Sequence, residues 1–520
     1  MSRNTFGLLL GPVLFLVTLL LPPFDSFAKT ATALVGDAIT PSDLARAVFS
    51  MKVVFALLLL IVTWWLTEAI PLPVTALLPA VVLPWFHLVG VFDGKLSDLT
   101  FRSVLSNYAN PVIYLFLGGF LMAAAMQKWG LDRRVTYWFL SRGRIATDTH
   151  FVLLGMMVLS AFISLWISNT ATTAMLLPIG LGIVSQAGAH PGDSRFATAI
   201  MLGIAWAASI GGVGTVIGTP PNGIVLGILN STFSDSDTIR KITFLDWMKF
   251  GIPHVMLFIP VAWLVLLKLF PPGERHLADG REQLLRKREA LGPMVMGEKC
   301  TIGVFILAVL LWTTNPFWDK LLPSSLALRL SGVDEFMIGL FVGLLLFVVP
   351  VRVASREFVL KWEDTKSVDW GTLILFGGGI ALSDAMFKTG IATWLATSVF
   401  GIIGTPSVIL LVAMIVLFVG LLSEVTSNTA VTTMMAPIVI SLGYGTNTDS
   451  VTLAIAAALA SSLGFMLPVA TPPNALVYAT GYVKLRDMVR AGFLLDIIGW
   501  LITVGVMWLF GSLLFGVLRF

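Results

Sequence analysis

The apolar residues of this chain come in long uninterrupted runs, among them residues 53–65, 255–267 and 409–422, instead of the alternating ten-residue strands of an outer-membrane barrel. A helix needs roughly 20 such residues to cross a bilayer. The runs predict eleven crossings, near 6–21, 50–69, 71–88, 112–128, 197–228, 251–270, 301–316, 334–350, 370–387, 451–481 and 492–518. Two further apolar stretches, 151–183 and 407–442, are each broken near the middle by Ser-Asn-Thr. Each reads as a re-entrant hairpin, because unwound backbone at membrane depth survives only where protein or a water-filled cavity satisfies it.

Composition agrees with that pattern. Of 520 residues 57% are hydrophobic and 12% charged, about half the charge density of a soluble domain, so a water-soluble globule is excluded. The formal charge of +4 fits basic cytoplasmic loops better than nucleic acid. Arg3 precedes the first run, and Ser26-Phe27-Ala28 would pass as a signal-peptidase site; we read an uncleaved first span with its N-terminus in the cytoplasm. The loops that then fall inside carry Lys128, Arg133, Arg134, Arg142 and Arg144, then Arg275, Arg281, Arg286, Lys287, Arg288 and Lys299, and later Arg352, Arg356, Lys361, Lys366, Lys484, Arg486 and Arg490. Outside segments are sparser, with Lys95, Arg102, Arg240, Lys241, Lys320 and Arg329. The positive-inside rule supports this count and leaves the C-terminus outside.

The chain also contains itself twice. Residues 116–130 read FLGGFLMAAAMQKWG and residues 376–390 read FGGGIALSDAMFKTG; 168–179 read SNTATTAMLLPI and 427–438 read SNTAVTTMMAPI; 208–222 read ASIGGVGTVIGTPPN and 460–474 read ASSLGFMLPVATPPN. Three blocks recur in one order. Five crossings separate corresponding blocks, so the halves are inverted, a signature of secondary transporters with the site at the repeat interface. The fold class is an all-α polytopic membrane protein: a span and external segment over 1–48, a first repeat over 49–270, a basic cytoplasmic loop over 271–300 and a second repeat over 301–520.

The broken segments carry the candidate chemistry. A helix restarting after Asn169 or Asn428 offers unpaired N–H groups and a partial positive end, suited to a carboxylate. The half-helix before it ends in bare carbonyls which, with an asparagine oxygen, suit a hard cation such as Na⁺. Pro220-Pro221 and Pro472-Pro473 break the other two helices and free the carbonyls of Gly218 and Ala470, beside the hydroxyls of Thr219 and Thr471. These four segments hold no Arg or Lys, so a polyanion there needs co-bound cations, a physical reason for coupling. Gly118-Gly119 and 377–379 read as close helix packing. Of the intramembrane carboxylates Glu68, Asp384, Glu424 and Asp496, we discount all but Glu424, three residues before Ser427, as coupling groups; Asp384 has Lys388 one turn away. One cysteine, Cys300, and five scattered histidines offer no disulfide or metal cluster, and no nucleophile or acid–base pair marks an enzyme.

These residues resemble the divalent anion/sodium symporters, the family of bacterial dicarboxylate and mammalian sodium-coupled dicarboxylate and citrate carriers. The resemblance covers nearly the whole chain and includes 67–71 (TEAIP), both Ser-Asn-Thr tips, both Thr-Pro-Pro-Asn breaks and 375–379 (LFGGG). It implies a homodimer whose scaffold domain holds the dimer while a transport domain carries the site across by an elevator motion. It further implies at least two sodium ions, one at Ser164, Ser168, Asn169 and Gly218, the other at Ser423, Ser427, Asn428 and Ala470. Substrate carboxylates would meet Asn169, Thr170, Ser427, Asn428, Thr429 and Thr471. No basic residue replaces a sodium ligand. The expectation is a plasma-membrane (bacterial inner-membrane) symporter importing C4-dicarboxylates such as succinate, malate or fumarate. Alternatives are a sodium-independent exchanger, a sodium-coupled citrate or sulfate carrier and, from another class, an anion channel.

Overall fold

Long apolar runs become long helices in the computed structural model, which describes residues 3–36, 39–92, 95–192, 194–232, 242–273, 280–354, 356–404, 406–446 and 449–515. Among these residues nine helices are long and apolar enough to cross a membrane: Arg3–Leu20, Pro41–Thr67, Phe101–Lys128, Arg195–Gly212, Phe244–Leu269, Met296–Leu321, Trp370–Thr389, Val408–Val425 and Leu485–Phe510. A tenth forms if Ser324–Leu330 and Glu335–Val348, bent by 82°, count as one span. Two short antiparallel hairpins, Val89–Phe92 with Lys95–Asp98 and Pro350–Arg352 with Glu357–Phe358, are the strands found.

The count of eleven crossings needs correction at two places. The run at 71–88 is not one helix but Leu72–Thr75 and Leu78–Trp85, because prolines at 71, 73, 79 and 84 remove donors along it. The 334–350 crossing is the shorter Glu335–Val348, one arm of the bent pair. The 451–481 segment is broken as its prolines implied, into Ser450–Ser461, an unwound stretch and Pro472–Tyr478. Conversely Val408–Val425, read as a hairpin arm, reaches span length by itself. Arg240, Lys241, Arg275 and the tail of the last predicted span lie outside the described residues.

Both Ser-Asn-Thr sequences separate two helices, Thr149–Ser164 from Asn169–Gln186 and Val408–Val425 from Asn428–Thr446. Two short helices that the reading of crossings did not announce follow the first repeated block, the amphipathic Leu131–Leu140 after Gly130 (φ 68°) and the apolar Ile391–Ile403 after Gly390 (φ 87°). The left-handed turn that only glycine takes cheaply ends the preceding helix at the same place in each repeat.

Arg195–Gly212 and Ser450–Ser461 are buried along almost their whole length and form the centre, while Arg3–Leu20 lies at the periphery. Lipid is as apolar as leucine, so helix association rests on close packing of small residues. A Cβ on Gly118 would strike the Gly339 carbonyl, one on Gly378 the Ala76 carbonyl, and one on Gly379 the Thr433 side chain. The glycine pairs are thus helix contacts, as expected, and through Gly379 the Trp370–Thr389 helix seats directly on the second hairpin.

Candidate functional site

Four broken segments end on one cavity. Its volume is about 1350 Å³, and Ser168, Asn169, Thr170, Ser427, Asn428, Thr429, Ala470 and Thr471 all line it, with Thr219 and Pro220 from the first broken helix. All six residues assigned to substrate on sequence grounds share this one space. Each hairpin's second helix starts here, at Asn169 and Asn428, and the first N–H groups of a helix have no partner within it. The broken helices restart here too, at Pro220 and Pro472, but paired prolines strip those ends of donors. They contribute threonine instead: Thr471 Oγ1 accepts the Asn474 N–H (3.3 Å).

Behind the cavity wall the two repeats build matching oxygen clusters. Ser164 Oγ donates to Asn169 Oδ1 at 2.8 Å, and Ser423 Oγ to Asn428 Oδ1 at 2.7 Å. Ser423 Oγ also meets the Ser461 carbonyl. A Cβ on Gly218 would strike the Gly212 carbonyl and lie 2.8 Å from the Ser164 carbonyl. One on Gly212 would strike Asn169 Oδ1 and lie 3.1 Å from the Gly218 carbonyl. In the second repeat a Cβ on Gly464 would lie 3.4 Å from both Ala470 Cβ and the Ser423 carbonyl. Ser164, Asn169 and Gly218 therefore converge, as do Ser423, Asn428 and Ala470. Ser168 and Ser427 stand on the cavity side of each cluster. Neutral oxygens at this density suit a hard monovalent cation.

The last residue of each Thr-Pro-Pro-Asn motif has a role that its motif did not announce. Asn222 Nδ2 donates to the carbonyls of Gly212 (3.0 Å) and Thr215 (2.7 Å), and Asn474 Nδ2 to those of Gly464 (2.9 Å) and Leu467 (3.0 Å). The sequence separations are identical, ten and seven residues, in both repeats. Each asparagine holds its unwound stretch in shape. Recurrence of the asparagine in both motifs was the available signal.

Charge enters from elsewhere. Among the described residues Arg3, Glu68 and Asp369 are the charged ones lining the cavity, none of them on the four segments. Arg3 Nη2 donates to the Val425 carbonyl at 2.9 Å and to the Leu66 carbonyl, joining the end of Val408–Val425 to the end of Pro41–Thr67. Asp369 accepts from the Thr372 N–H (3.0 Å) and caps Trp370–Thr389. Among the described residues one cation faces two carboxylates, which leaves the lining without surplus positive charge.

The intramembrane carboxylates divide. Asp384 pairs with Lys388 at 2.7 Å, as spacing suggested. Glu68 ends the helix Pro41–Thr67 in left-handed conformation (φ 51°) at the cavity edge. Glu424 accepts three backbone N–H groups, from Phe465 (2.7 Å), Met466 (3.0 Å) and Leu467 (3.1 Å). It thus grips the second break, which three residues' distance from Ser427 did not reveal. Outside the membrane, burial would raise the Asp364 carboxyl, but the Lys128 ammonium at 2.7 Å and the Lys361 N–H outweigh it and hold it below the usual carboxylate range.

Residues 41–517 match a family model described as the sodium:sulfate symporter transmembrane region. The sodium-dependent dicarboxylate transporter SdcS of Staphylococcus saprophyticus is 36% identical over 512 residues, 96% of this chain and 90% of that protein. SdcS of Staphylococcus aureus is 36% identical over 526 residues, 99% of this chain and 93% of that protein. Among solved structures, the YdaH transporter of Alcanivorax borkumensis aligns with a TM-score of 0.54 at 13% identity, covering 85% of this chain and 98% of that one. MtrF of Neisseria gonorrhoeae aligns with a TM-score of 0.54 at 13% identity, covering 86% and 96%. At that identity the likeness shows the fold alone.

Proposed function

The chain belongs to the sodium:sulfate symporter family, a family of transporters and not of enzymes, and from that membership we propose that it imports C4-dicarboxylates such as succinate, malate and fumarate by sodium symport. The observation that carries the reading is the paired arrangement of two neutral oxygen clusters beside four helix ends on one cavity. In this reading Ser164, Ser168, Asn169 and Gly218 hold one sodium ion and Ser423, Ser427, Asn428 and Ala470 the other. The substrate carboxylates lie between Asn169-Thr170 and Ser427-Asn428-Thr429, with Thr471 beside them. The SdcS relatives, named for sodium-dependent dicarboxylate transport, support the choice of substrate over sulfate or citrate.

Moving a dianion against an inside-negative potential costs roughly 2.3 kcal/mol per charge per 100 mV. More than two sodium ions per dianion make the cycle electrogenic and inward. Alternating exposure is by an elevator motion of the hairpin-bearing transport domain against the scaffold of a homodimer, with the N-terminus cytoplasmic and the C-terminus outside.

The test is radiolabelled succinate uptake into proteoliposomes under an inward Na⁺ gradient, compared with K⁺, a proton gradient and succinate-loaded vesicles. Uptake that requires Na⁺ is expected, with Asn169→Ala and Asn428→Ala each abolishing it in folded protein. Uptake that ignores Na⁺ but requires internal dicarboxylate would make this an exchanger.

A further inference from the structure

Two helices outside the matched blocks meet at the end of the first hairpin that lies away from the cavity. Leu131–Leu140 follows the span that ends at Lys128, and Gly280–Ala290 lies in the basic loop between the repeats. Arg134, at the start of the first, donates to the carbonyls of Gly292 (2.9 Å) and Leu291 (3.3 Å), just past the end of the second. Leu284, near the start of the second, is buried in an apolar seat with Leu140 and Ile145 on one side and Val152 and Ile183 of the hairpin on the other. The two helices are thus antiparallel. Gln186 Nε2 donates to Gln283 Oε1, and a Cβ on Gly182 would lie 3.3 Å from Lys287 Nζ. By these few contacts Gly280–Ala290 is strapped across the hairpin.

Little of the charge on this surface is spent within the protein. Arg134 pairs with Glu298 at 2.6 Å, Arg286 pairs with Glu282 at 2.5 Å, and Arg133 adjoins Asp132. Arg142, Arg144, Arg281, Lys287 and Arg288 are exposed and have no acidic partner among the described residues, where Glu289 is the one acid left free on the two helices. Arg142 lies over the ring of the exposed Trp138 at 3.7 Å, a cation beside the kind of side chain that settles at headgroup depth. The positive-inside rule asks only that such charge stay in a loop, and a solvated loop would serve. Here the loop is folded into a helix and fastened to the bundle, which brings like charges together at a cost that only a covering anion offsets.

We propose that this surface docks the anionic phospholipid headgroups of the adjoining leaflet, and that the bound lipid holds Gly280–Ala290 down on the first hairpin. A cluster of basic residues beside an amphipathic interfacial helix is matched by negative headgroups. The guanidinium groups of Arg142 and Arg144 present paired donors to phosphodiester oxygens, with Trp138 against the upper part of the lipid, while Arg281 and Arg288 carry the same contact along the second helix. The cations are spread over three elements, so several headgroups in a bilayer match them better than one free anion. The binding stands apart from what the protein transports; only its effect on uptake rests on the sodium-coupled reading.

The full chain, purified in a neutral detergent and mixed with equal amounts of phosphatidylglycerol and phosphatidylcholine, is passed through gel filtration and the lipid that stays with it is measured. Phosphatidylglycerol is expected in about tenfold excess, shed at about 0.5 M NaCl and undisturbed by about 10 mM inorganic phosphate. Arg142→Gln, Arg144→Gln, Arg281→Gln and Arg288→Gln together should cut retained phosphatidylglycerol about fivefold and leave phosphatidylcholine unchanged, while lysine at the same four positions should keep most of it. The wild-type comparisons stand even if the glutamine variant fails to fold. Equal retention of the two lipids by wild type, or undiminished phosphatidylglycerol on the folded glutamine variant, would overturn the proposal; displacement by phosphate would make the surface a free-anion site and overturn it too. In proteoliposomes, about 30% phosphatidylglycerol in phosphatidylcholine should raise sodium-driven succinate uptake about threefold for wild type and not for the glutamine variant. Equal rates with the lipid retained would refute the hold on the hairpin.

Discussion

Gly218→Ala should cripple the first oxygen cluster while its counterpart tolerates the same methyl group. Position 218 in the first repeat corresponds to position 470 in the second, where the residue is already alanine. A Cβ at 218 would strike the Gly212 carbonyl and lie 2.8 Å from the Ser164 carbonyl, where ordinary contact begins at 3.4 Å. The Ser164 carbonyl has to retreat by about 0.6 Å and the nearer Gly212 carbonyl by more, several times the roughly 0.2 Å that a coordination distance tolerates. Losing one ligand to a cation is worth about 1.5–3 kcal/mol, or roughly tenfold to a hundredfold in affinity. Half-saturating Na⁺ for succinate uptake in proteoliposomes should rise by that factor, with the rate at saturating Na⁺ far less affected. Ala470→Gly, which only removes a methyl, should change it less than threefold. Equal and wild-type Na⁺ dependence in both variants would show that these carbonyls do not meet the ion.

Three other outcomes follow from the geometry. Asn474→Leu strands the Gly464 and Leu467 carbonyls at about 1–3 kcal/mol each and should lower the thermal midpoint in detergent; an unchanged midpoint would deny the asparagine its bracing role. Arg3→Ala removes the cavity's one lining cation and should raise half-saturating succinate about fivefold, near 1 kcal/mol, with Na⁺ dependence unaltered; unchanged succinate affinity would place Arg3 outside the substrate's field. Asp364→Asn breaks the pair with Lys128, worth under about 1 kcal/mol at a part-exposed site. Because the folded carboxyl is held below its unfolded value of about 3.9, the stability difference should be present above about pH 4 and shrink as pH falls further. A difference that grows toward acid would reverse the assignment.

The cavity residues were legible because each motif occurs twice. Ser-Asn-Thr or Thr-Pro-Pro-Asn alone is a local break, but in matched order they mark symmetry-related positions that can face one space. What stayed hidden depends on partners distant in sequence. Arg3 reaches the cavity only because Arg3–Leu20 packs along Pro41–Thr67, a neighbourhood that hydropathy does not encode. Glu424 stood out in the sequence only by its nearness to Ser427, and its grip on the second break stayed hidden because its partners are backbone amides 41 to 43 residues away. The helices Leu131–Leu140 and Ile391–Ile403 escaped notice because both are too short to cross a bilayer and the first is amphipathic, although the repeated glycines at 130 and 390 marked where they start. The run at 71–88 failed in the other direction, apolar enough to cross yet punctuated by proline.

The second break has the outline of a loop without a loop's freedom. Its amides at 465–467 are held by Glu424 and its carbonyls at 464 and 467 by Asn474, so hydrogen–deuterium exchange there should be as slow as in the flanking helices. An ion arriving from solvent then meets a finished coordination shell and loses little entropy in ordering it. Under the proposed elevator cycle, seating the cation would then be quick, and the slow interval would belong to displacement of the body that carries it.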